Sequence, residues 1–425
     1  MPERLRVCLI ALNAYAAIDP QAQGPIGGIE TRAWMFARGL AARDDMDVSF
    51  VVRHHRIPEL TVAEGVRLIP LVDRLYRWRE QVRMCAGKRA TFPWLTLHQW
   101  RSPLLWQLPV VAAERLLRGR PGDPWQPDPR LVAVPAGVLC TFGVQSHSAT
   151  VIASAHAAHR PAVLVLGSDG DLDEQYGPES TFVSPYGDRG DVCWRILQEP
   201  DVIVAQTPEQ QRVLQERFGR ESTVIANPID VAEWDARRTQ PLNTTDTAGL
   251  ERYVLWIGRA DAVHKRPQLC VELARMCPEV EFLLVMNPRD PVLDQRLRRE
   301  RPSNVRLVSW VPFPRMPSVF AHATALVNTS LLEGFANTFL QAALSEVPIA
   351  ALQVGAPFLA ELGCGCIADG DLGRLADYLR NIWRHGEDRA ALAQAREFVV
   401  QRHGLAQKVS ELAHVIRRAA ERQTQ

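Results

Sequence analysis

Short apolar runs alternate with helical stretches along almost the whole chain, and that alternation admits few folds. Strand-like runs fall near 5–12, 48–53, 66–72, 138–144, 161–167, 201–205 and 222–226, with helical stretches near 28–42, 146–158 and 208–218. A second series has strands near 253–258, 281–286, 305–310, 325–329 and 348–352, alternating with helices near 266–277, 291–300, 314–321, 337–346 and 371–384. Strands separated by helices pair in parallel, and a parallel sheet needs helices on both faces. The chain is therefore predicted to be α/β, with two Rossmann-like, doubly wound parallel-sheet domains. They are expected to face each other across a cleft walled by the carboxyl ends of both sheets. The break falls at 229–249, a polar stretch that holds Pro241 and the run Asn243-Thr-Thr-Asp-Thr and has no apolar period. This gives an N-terminal domain over 1–228, a linker over 229–249 and a C-terminal domain over 250–404. The sequence leaves open whether the final helical segment, 405–425, packs back on the first domain.

Composition removes several classes. A length of 425 residues with 47% apolar and 23% charged side chains suits a globular protein with ample core. The net charge of +1 gives no general attraction to nucleic acid, and none is expected as a partner. The apolar run after Met-Pro-Glu-Arg-Leu-Arg is too short for a signal peptide. No stretch approaches the roughly 18 apolar residues of a spanning helix. The expected location is cytoplasmic. The eight cysteines are scattered, and Cys364 and Cys366 form the only close pair, so reduced thiols are expected rather than a zinc site.

Four stretches bear chemistry. In Leu331-Leu-Glu-Gly-Phe-Ala-Asn-Thr-Phe-Leu-Gln341, a carboxylate, a glycine and an asparagine fall at a strand-to-helix turn. Free backbone N–H groups and the helix dipole there favour an anion, and Glu333 beside them can accept hydrogen bonds from hydroxyls. Phosphate plus polyhydroxyl is the chemistry of a sugar nucleotide. In Trp256-Ile-Gly258-Arg259 and Lys265-Arg-Pro267, two cations flank a short loop at a strand end, placed to neutralise a diphosphate. In Gly24-Pro-Ile-Gly27-Gly28-Ile-Glu30-Thr31, glycines precede a helix, but the G-x-G-x-x-G spacing of dinucleotide enzymes is absent. In Gly167-Ser-Asp169-Gly-Asp171-Leu-Asp173, three carboxylates follow a strand; they suit a base, an acceptor-orienting group, a cation or simply a capped turn. The nearby His147, His156 and His159 suit packing or surface positions better than catalysis. A fifth stretch, Asp73–Arg120, carries ten basic side chains against three carboxylates, with Tyr76, Trp78, Trp94, Trp100 and Trp106 interleaved. That composition suits peripheral contact with an anionic membrane, or equally a solvated helical excursion.

Together these elements resemble glycosyltransferase family 4, the retaining group with the two-domain GT-B architecture. The resemblance covers most of the chain and is strongest over Tyr253–Leu352. It rests on Gly27-Gly28-Ile29-Glu30, Arg259, Lys265, Glu333-Gly334-Phe335-Ala336-Asn337-Thr338 and the Asn227-Pro-Ile-Asp230 turn. It implies transfer of a hexosyl or related sugar from a nucleoside-diphosphate sugar to an acceptor hydroxyl, with retention. The setting it implies is glycan, glycolipid or cell-envelope polysaccharide synthesis, on a carbohydrate or lipid-linked acceptor, at the inner face of the membrane if the protein binds there. Arg259 and Lys265 are implied to contact the diphosphate, Glu333 the donor sugar, and the backbone from Gly334 to Thr338 sugar and phosphate. Gly258, Gly27 and Gly28 would line the donor. No metal or other cofactor is implied.

The sequence departs from the family at two positions. Gln341 stands where the family's second glutamate holds the ribose; an amide still accepts a hydrogen bond but loses the charge-assisted one. Ser168-Asp169 stands where many members carry a histidine, making Asp169 the candidate polar group on the acceptor side. A sugar-nucleotide-modifying enzyme on the same scaffold, or a non-catalytic GT-B descendant, are the alternatives.

Overall fold

The computed structural model describes residues 4–19, 22, 27–88, 95–97, 100–118, 122–184 and 187–422. Gly24, Pro25 and Ile26 of the first glycine loop, and Arg89, Trp94 and Arg120 of the basic stretch, lie outside the described residues. The chain divides into two compact units, one of residues 1–76, 113–228 and 405–425, the other of 77–112 and 229–404.

The first unit is built on eight strands. They are β1 (Leu5–Ile10), β2 (Met46–His54), β3 (Val62–Ala63), β4 (Val66–Val72), β7 (Val138–Phe142), β8 (Ala162–Val165), β9 (Val202–Ala205) and β10 (Thr223–Val224). A separate antiparallel ribbon, β5 (Ala86–Lys88) with β6 (Leu95–Leu97), falls between them in sequence. The sheet order is β10-β9-β8-β7-β1-β2-β4-β3, parallel throughout except for β3 against β4. Alternation along β1 sorts its side chains. Val7 and Leu9 join a core with Phe36 and Leu40 of helix α1 (Gly28–Ala41), while Cys8 and Ile10 join a second core on the other face. The C-terminal helix Leu405–Arg422 supplies Val409, Leu412 and Ile416 to the α1 side of the sheet. A side chain at Gly39 would meet Val409 Cγ2 at 2.3 Å, so this glycine sets how closely that helix approaches α1.

Residues 77–112 hold most of helix α2 (Tyr76–Cys85) and the first part of helix α3 (Leu104–Arg118). Helix α4 (Ser146–Ala157) follows β7 in the first unit.

The second unit has six parallel strands: β11 (Tyr253–Arg259), β12 (Phe282–Asn287), β13 (Val305–Val308), β14 (Ala323–Asn328), β15 (Ile349–Ala351) and β16 (Cys366–Ile367). Their order is β13-β12-β11-β14-β15-β16. Tyr253 and Leu255 face one core, Val254 and Trp256 the other. The stretch 229–249, expected as a linker, contains helix α5 (Val231–Arg238), capped by Asp230 accepting from the Glu233 amide at 3.0 Å. Its Trp234 is buried against Phe320, and its indole N–H donates to Ser345 Oγ at 2.9 Å. One tryptophan therefore ties a polar segment into the second core, a contact with no periodicity to announce it.

In both sheets the strand order reverses beside the first strand of the unit, between β1 and β7 and between β11 and β14. Such reversals leave the connections diverging at the carboxyl edge and open a crevice there.

Candidate active site

At the reversal in the second unit, β11 ends in Gly258 and Arg259, followed by a loop and helix α6 (Pro267–Met276). A Cβ at Gly258 would lie 2.6 Å from Trp256 Cη2, so glycine lets the indole pack flat along its own strand. The indole N–H then donates to Thr329 Oγ1 at 3.0 Å, just past the end of β14. Thr329 Oγ1 in turn lies 2.8 Å from the Lys265 carbonyl oxygen. Leu331 N–H donates to the His264 carbonyl at 2.8 Å. Arg266 completes the staple: its guanidinium donates to the carbonyls of Thr329 (2.7 Å) and Ser330 (3.0 Å) and to Gln353 Oε1 (2.6 Å). Arg266 takes φ +50°, a left-handed conformation that costs a non-glycine residue, and Pro267 then starts the helix. Four of these contacts directly join two loops that sequence separates by more than sixty residues.

The lock brings together the residues singled out from sequence. The Lys265 ammonium contacts Glu333 Oε1, and that same oxygen accepts from Ser330 Oγ at 2.7 Å. The two side chains are 25% and 17% exposed, so the pair is ordered yet open to a ligand. Arg259 Nε donates to Asp261 Oδ2 at 2.9 Å. Asp261 also accepts from the amides of Val263 (3.1 Å) and His264 (2.8 Å), folding the loop over itself. Burial works against the Asp261 carboxylate, but the His264 amide and the Arg259 guanidinium outweigh it and hold its pKa below the usual value. Both cations thus have carboxylate partners, which sequence spacing alone does not suggest.

Glu333, Gly334, Phe335 and Ala336 lead into helix α7 (Asn337–Leu344). Ala336 offers no side-chain cap and the first turn carries no carboxylate, so the partial positive charge of this helix end is unopposed by its own side chains. Asn337 and Gln341 are four residues apart and share a face of α7; both are partly exposed. Thr338 lies in the same first turn. Below them, Phe335 packs against the rings of Phe358 (5.0 Å) and His403 (5.4 Å). Gly355 sits at φ +91°, and a Cβ there would fall 2.2 Å from the Phe339 ring. Aromatic packing therefore fixes the angle at which α7 meets the strand end.

The remaining singled-out residues lie in the first unit. Gly27 is the N-cap of α1, and the Glu30 carboxylate folds back so far that Oε2 lies 2.2 Å from where a Gly27 Cβ would stand. This helix start, expected to line the donor, has its own Glu30 carboxylate folded beside it. Ile29, beside Gly28, fills the space over Gly143 and Gly167, at the ends of β7 and β8. The three aspartates after β8 do not converge. Asp169 is exposed and accepts from Gln210 Nε2 at 2.9 Å, Asp171 is buried and accepts from the Gly167 amide at 2.6 Å, and Asp173 accepts from the Gln175 amide at 2.9 Å. Among the described residues, no group of three or more His, Cys, Asp or Glu side chains is placed to hold a metal ion.

Sequence inspection missed Arg32. It is 1% exposed and donates to Asn227 Oδ1 at 2.8 Å and to the Leu166 carbonyl. Burial pushes its pKa down to about 9, against the opposing pull of Asp171. Burial likewise raises the Asp171 pKa. His147, at the start of α4, is pushed down to about 4 by burial and by Arg53, against the pull of Asp188.

Residues 251–385 match the family model described as "Glycosyl transferases group 1". This chain carries a group 1 glycosyl transferase domain. That match takes in β11, the basic loop, Glu333 and α7. No curated protein matches the chain in sequence. Solved structures similar to it include sucrose-phosphate synthase (tll1590) from Thermosynechococcus elongatus, 17% identical with a TM-score of 0.62, covering 98% of this chain and 99% of that one. Anabaena Alr3699/HepE in complex with UDP-glucose is 13% identical with a TM-score of 0.60, covering 97% and 99%. A TarM variant of S. aureus in complex with UDP is 12% identical with a TM-score of 0.62, covering 97% and 99%. At these identities the likeness is one of fold: two parallel-sheet α/β domains of the GT-B type.

Proposed function

We propose that the enzyme transfers a glycosyl group from a uridine-diphosphate sugar to a hydroxyl of a carbohydrate or lipid-linked acceptor, with retention at the anomeric carbon. The observation that carries this is the Lys265–Glu333 pair at the strand reversal of the second unit, beside an uncapped helix N-terminus. A diphosphate carries more charge than one carboxylate, so it draws Lys265 away from Glu333 and engages Arg259 and the first-turn amides of α7. Glu333, relieved of its partner, accepts hydrogen bonds from the donor sugar's hydroxyls. Solved relatives of the same fold bind UDP or UDP-glucose, which favours uridine as the base.

In the transfer, the bond between the anomeric carbon and the phosphate oxygen breaks, and the acceptor oxygen bonds that carbon on the same face. The acceptor proton passes to the departing phosphate oxygen. Lys265 and Arg259 stabilise the negative charge that builds on the diphosphate, a contribution larger in the transition state than in the ground state. Gln341, on the same face of α7 as Asn337, accepts from a ribose hydroxyl. Gly27 and Gly28 line the donor, and Asp169 belongs to the acceptor side, orienting the incoming hydroxyl through the carboxylate that Gln210 holds.

The test is a thermal-shift screen of the full chain against sugar nucleotides. A ligand that binds the native state raises the melting temperature. At least one uridine-diphosphate sugar should do so, and nicotinamide dinucleotides should not. A shift with nicotinamide dinucleotides alone would replace this proposal with a different enzyme class.

A further inference from the structure

The geometry points to a second working surface: the exposed face of α3 and the arginines beside it dock the protein on an anionic lipid bilayer. Helix α3 buries one narrow stripe, made of Leu104, Gln107 and the partly buried Leu108, Val111 and Glu114, at helical spacing. The opposite side should carry polar residues if it faced only water. It carries Leu105, Trp106, Pro109, Val110, Ala112, Ala113, Leu116 and Leu117 instead. Exposure is 69% at Leu105, 83% at Leu116 and 88% at Leu117, so these side chains lie outside any core. Trp100, 60% exposed, precedes the helix. Isolated exposed leucines need no explanation, but a contiguous apolar helix face marks an interaction site.

Charge selects the occupant. The stretch Asp73–Arg120 holds ten basic side chains against three carboxylates, in a chain whose net charge is +1. Arg74, Arg77, Arg101 and Arg115 are exposed. The excess survives pairing: Glu80 neutralises one arginine, Arg83, at 2.8 Å, and Glu114 lies on the partly buried stripe. The helices hold together as one platform through Trp78 against Trp106 (4.6 Å) and Gln107 Nε2 donating to Gln81 Oε1 at 2.6 Å. An apolar face with tryptophan at its edge and arginine around it suits the boundary between acyl chains and anionic headgroups. A second copy of the same face would bring like charges together. Among the described residues no helix is long and apolar enough to cross a membrane, so α3 would lie in the interfacial plane.

The test is co-sedimentation of the full chain with phosphatidylglycerol–phosphatidylcholine vesicles and with pure phosphatidylcholine vesicles. The wild type should pellet with the anionic vesicles at low salt, bind pure phosphatidylcholine far more weakly, and release at about 0.5 M NaCl, where the Debye length falls to a few ångströms. Leu116→Glu with Leu117→Glu should weaken binding about tenfold or more, because both side chains would otherwise insert. The melting temperature should hold, since neither packs in a core. Arg77→Glu with Arg101→Glu should weaken binding to anionic vesicles only. Wild type remaining in the supernatant at low salt would overturn the proposal. So would a Leu116→Glu, Leu117→Glu variant that pellets like wild type. A dimer in solution that this variant dissolves, with no vesicle binding, would reassign the face to contact between copies.

Discussion

The two strand reversals are alike in topology and opposite in chemistry. Beside β1 and β7, the charged groups are sealed in: Arg32 is 1% exposed and Asp171 7% exposed, and both have pKa values moved by burial. Ile29 closes the surface over Gly143 and Gly167. Beside β11 and β14, Lys265 and Glu333 pair with their side chains still partly in solvent. A sealed ion set cannot exchange partners with a ligand, because uncovering it leaves a buried charge unpaired. A partly exposed pair can, because water and ligand reach both groups. In the function proposed above, the first reversal serves as scaffold around Asn227, and the second is where a phosphate displaces a carboxylate.

Substitutions should separate these roles. Lys265→Ala should lower kcat/KM about 100- to 1,000-fold, the effect of removing one preorganised cation from a charged transition state, while the melting temperature changes little. Arg32→Ala should do the reverse. It leaves Asn227 Oδ1 and the Leu166 carbonyl without this buried donor and should cost about 1–3 kcal/mol of stability, read by denaturant unfolding, with near-normal donor affinity in the folded fraction. Should Arg32→Ala instead abolish donor binding without loss of stability, the contrast drawn between the two reversals collapses.

Smaller effects sharpen the contrast. Gly355→Ala forces a Cβ to 2.2 Å from the Phe339 ring at φ +91° and should cost about 1–3 kcal/mol, with kcat falling if α7 tilts. Gln341→Glu restores a charged acceptor for the ribose and should tighten donor binding by about 1 kcal/mol in calorimetry. An unchanged or weaker affinity would place the ribose elsewhere.

His147 gives a pH signature for the first unit. Burial and Arg53 push its pKa down to about 4, below the 6.5 of an unperturbed imidazole, so the unfolded chain takes up its proton first. The stability associated with the neutral ring is present above about pH 6.5 and is lost as pH falls toward 4. The melting temperature should drop over that window, and His147→Asn should flatten the drop.

Much of this was legible in the chain. Continuous apolar runs such as Tyr253–Trp256 gave the strands, because a parallel strand buried on both faces must serve two cores. Glu333, Lys265 and Arg259 stood out because charge at a strand end has a chemical use. What the sequence could not show were partners set by tertiary packing. Asp261 as the counter-charge of Arg259, Arg266 as the staple of two loops, and Arg32 as a buried cation all depend on groups far along the chain or on the local turn. Helix α5 escaped notice because its burial rests on Trp234 alone. The glycine loop misled in one respect: a glycine pair before a helix signals an open N-terminus, yet Glu30 at the third helical position covers it.

The most direct measurement is isothermal titration of UDP into wild-type protein and Lys265→Ala. Binding to the wild type should be saturable and should weaken about 30-fold or more in the variant, the loss expected when a charge-assisted contact to phosphate is removed. Equal affinity in both proteins would contradict it, since Lys265 would then remain with Glu333 when nucleotide is bound.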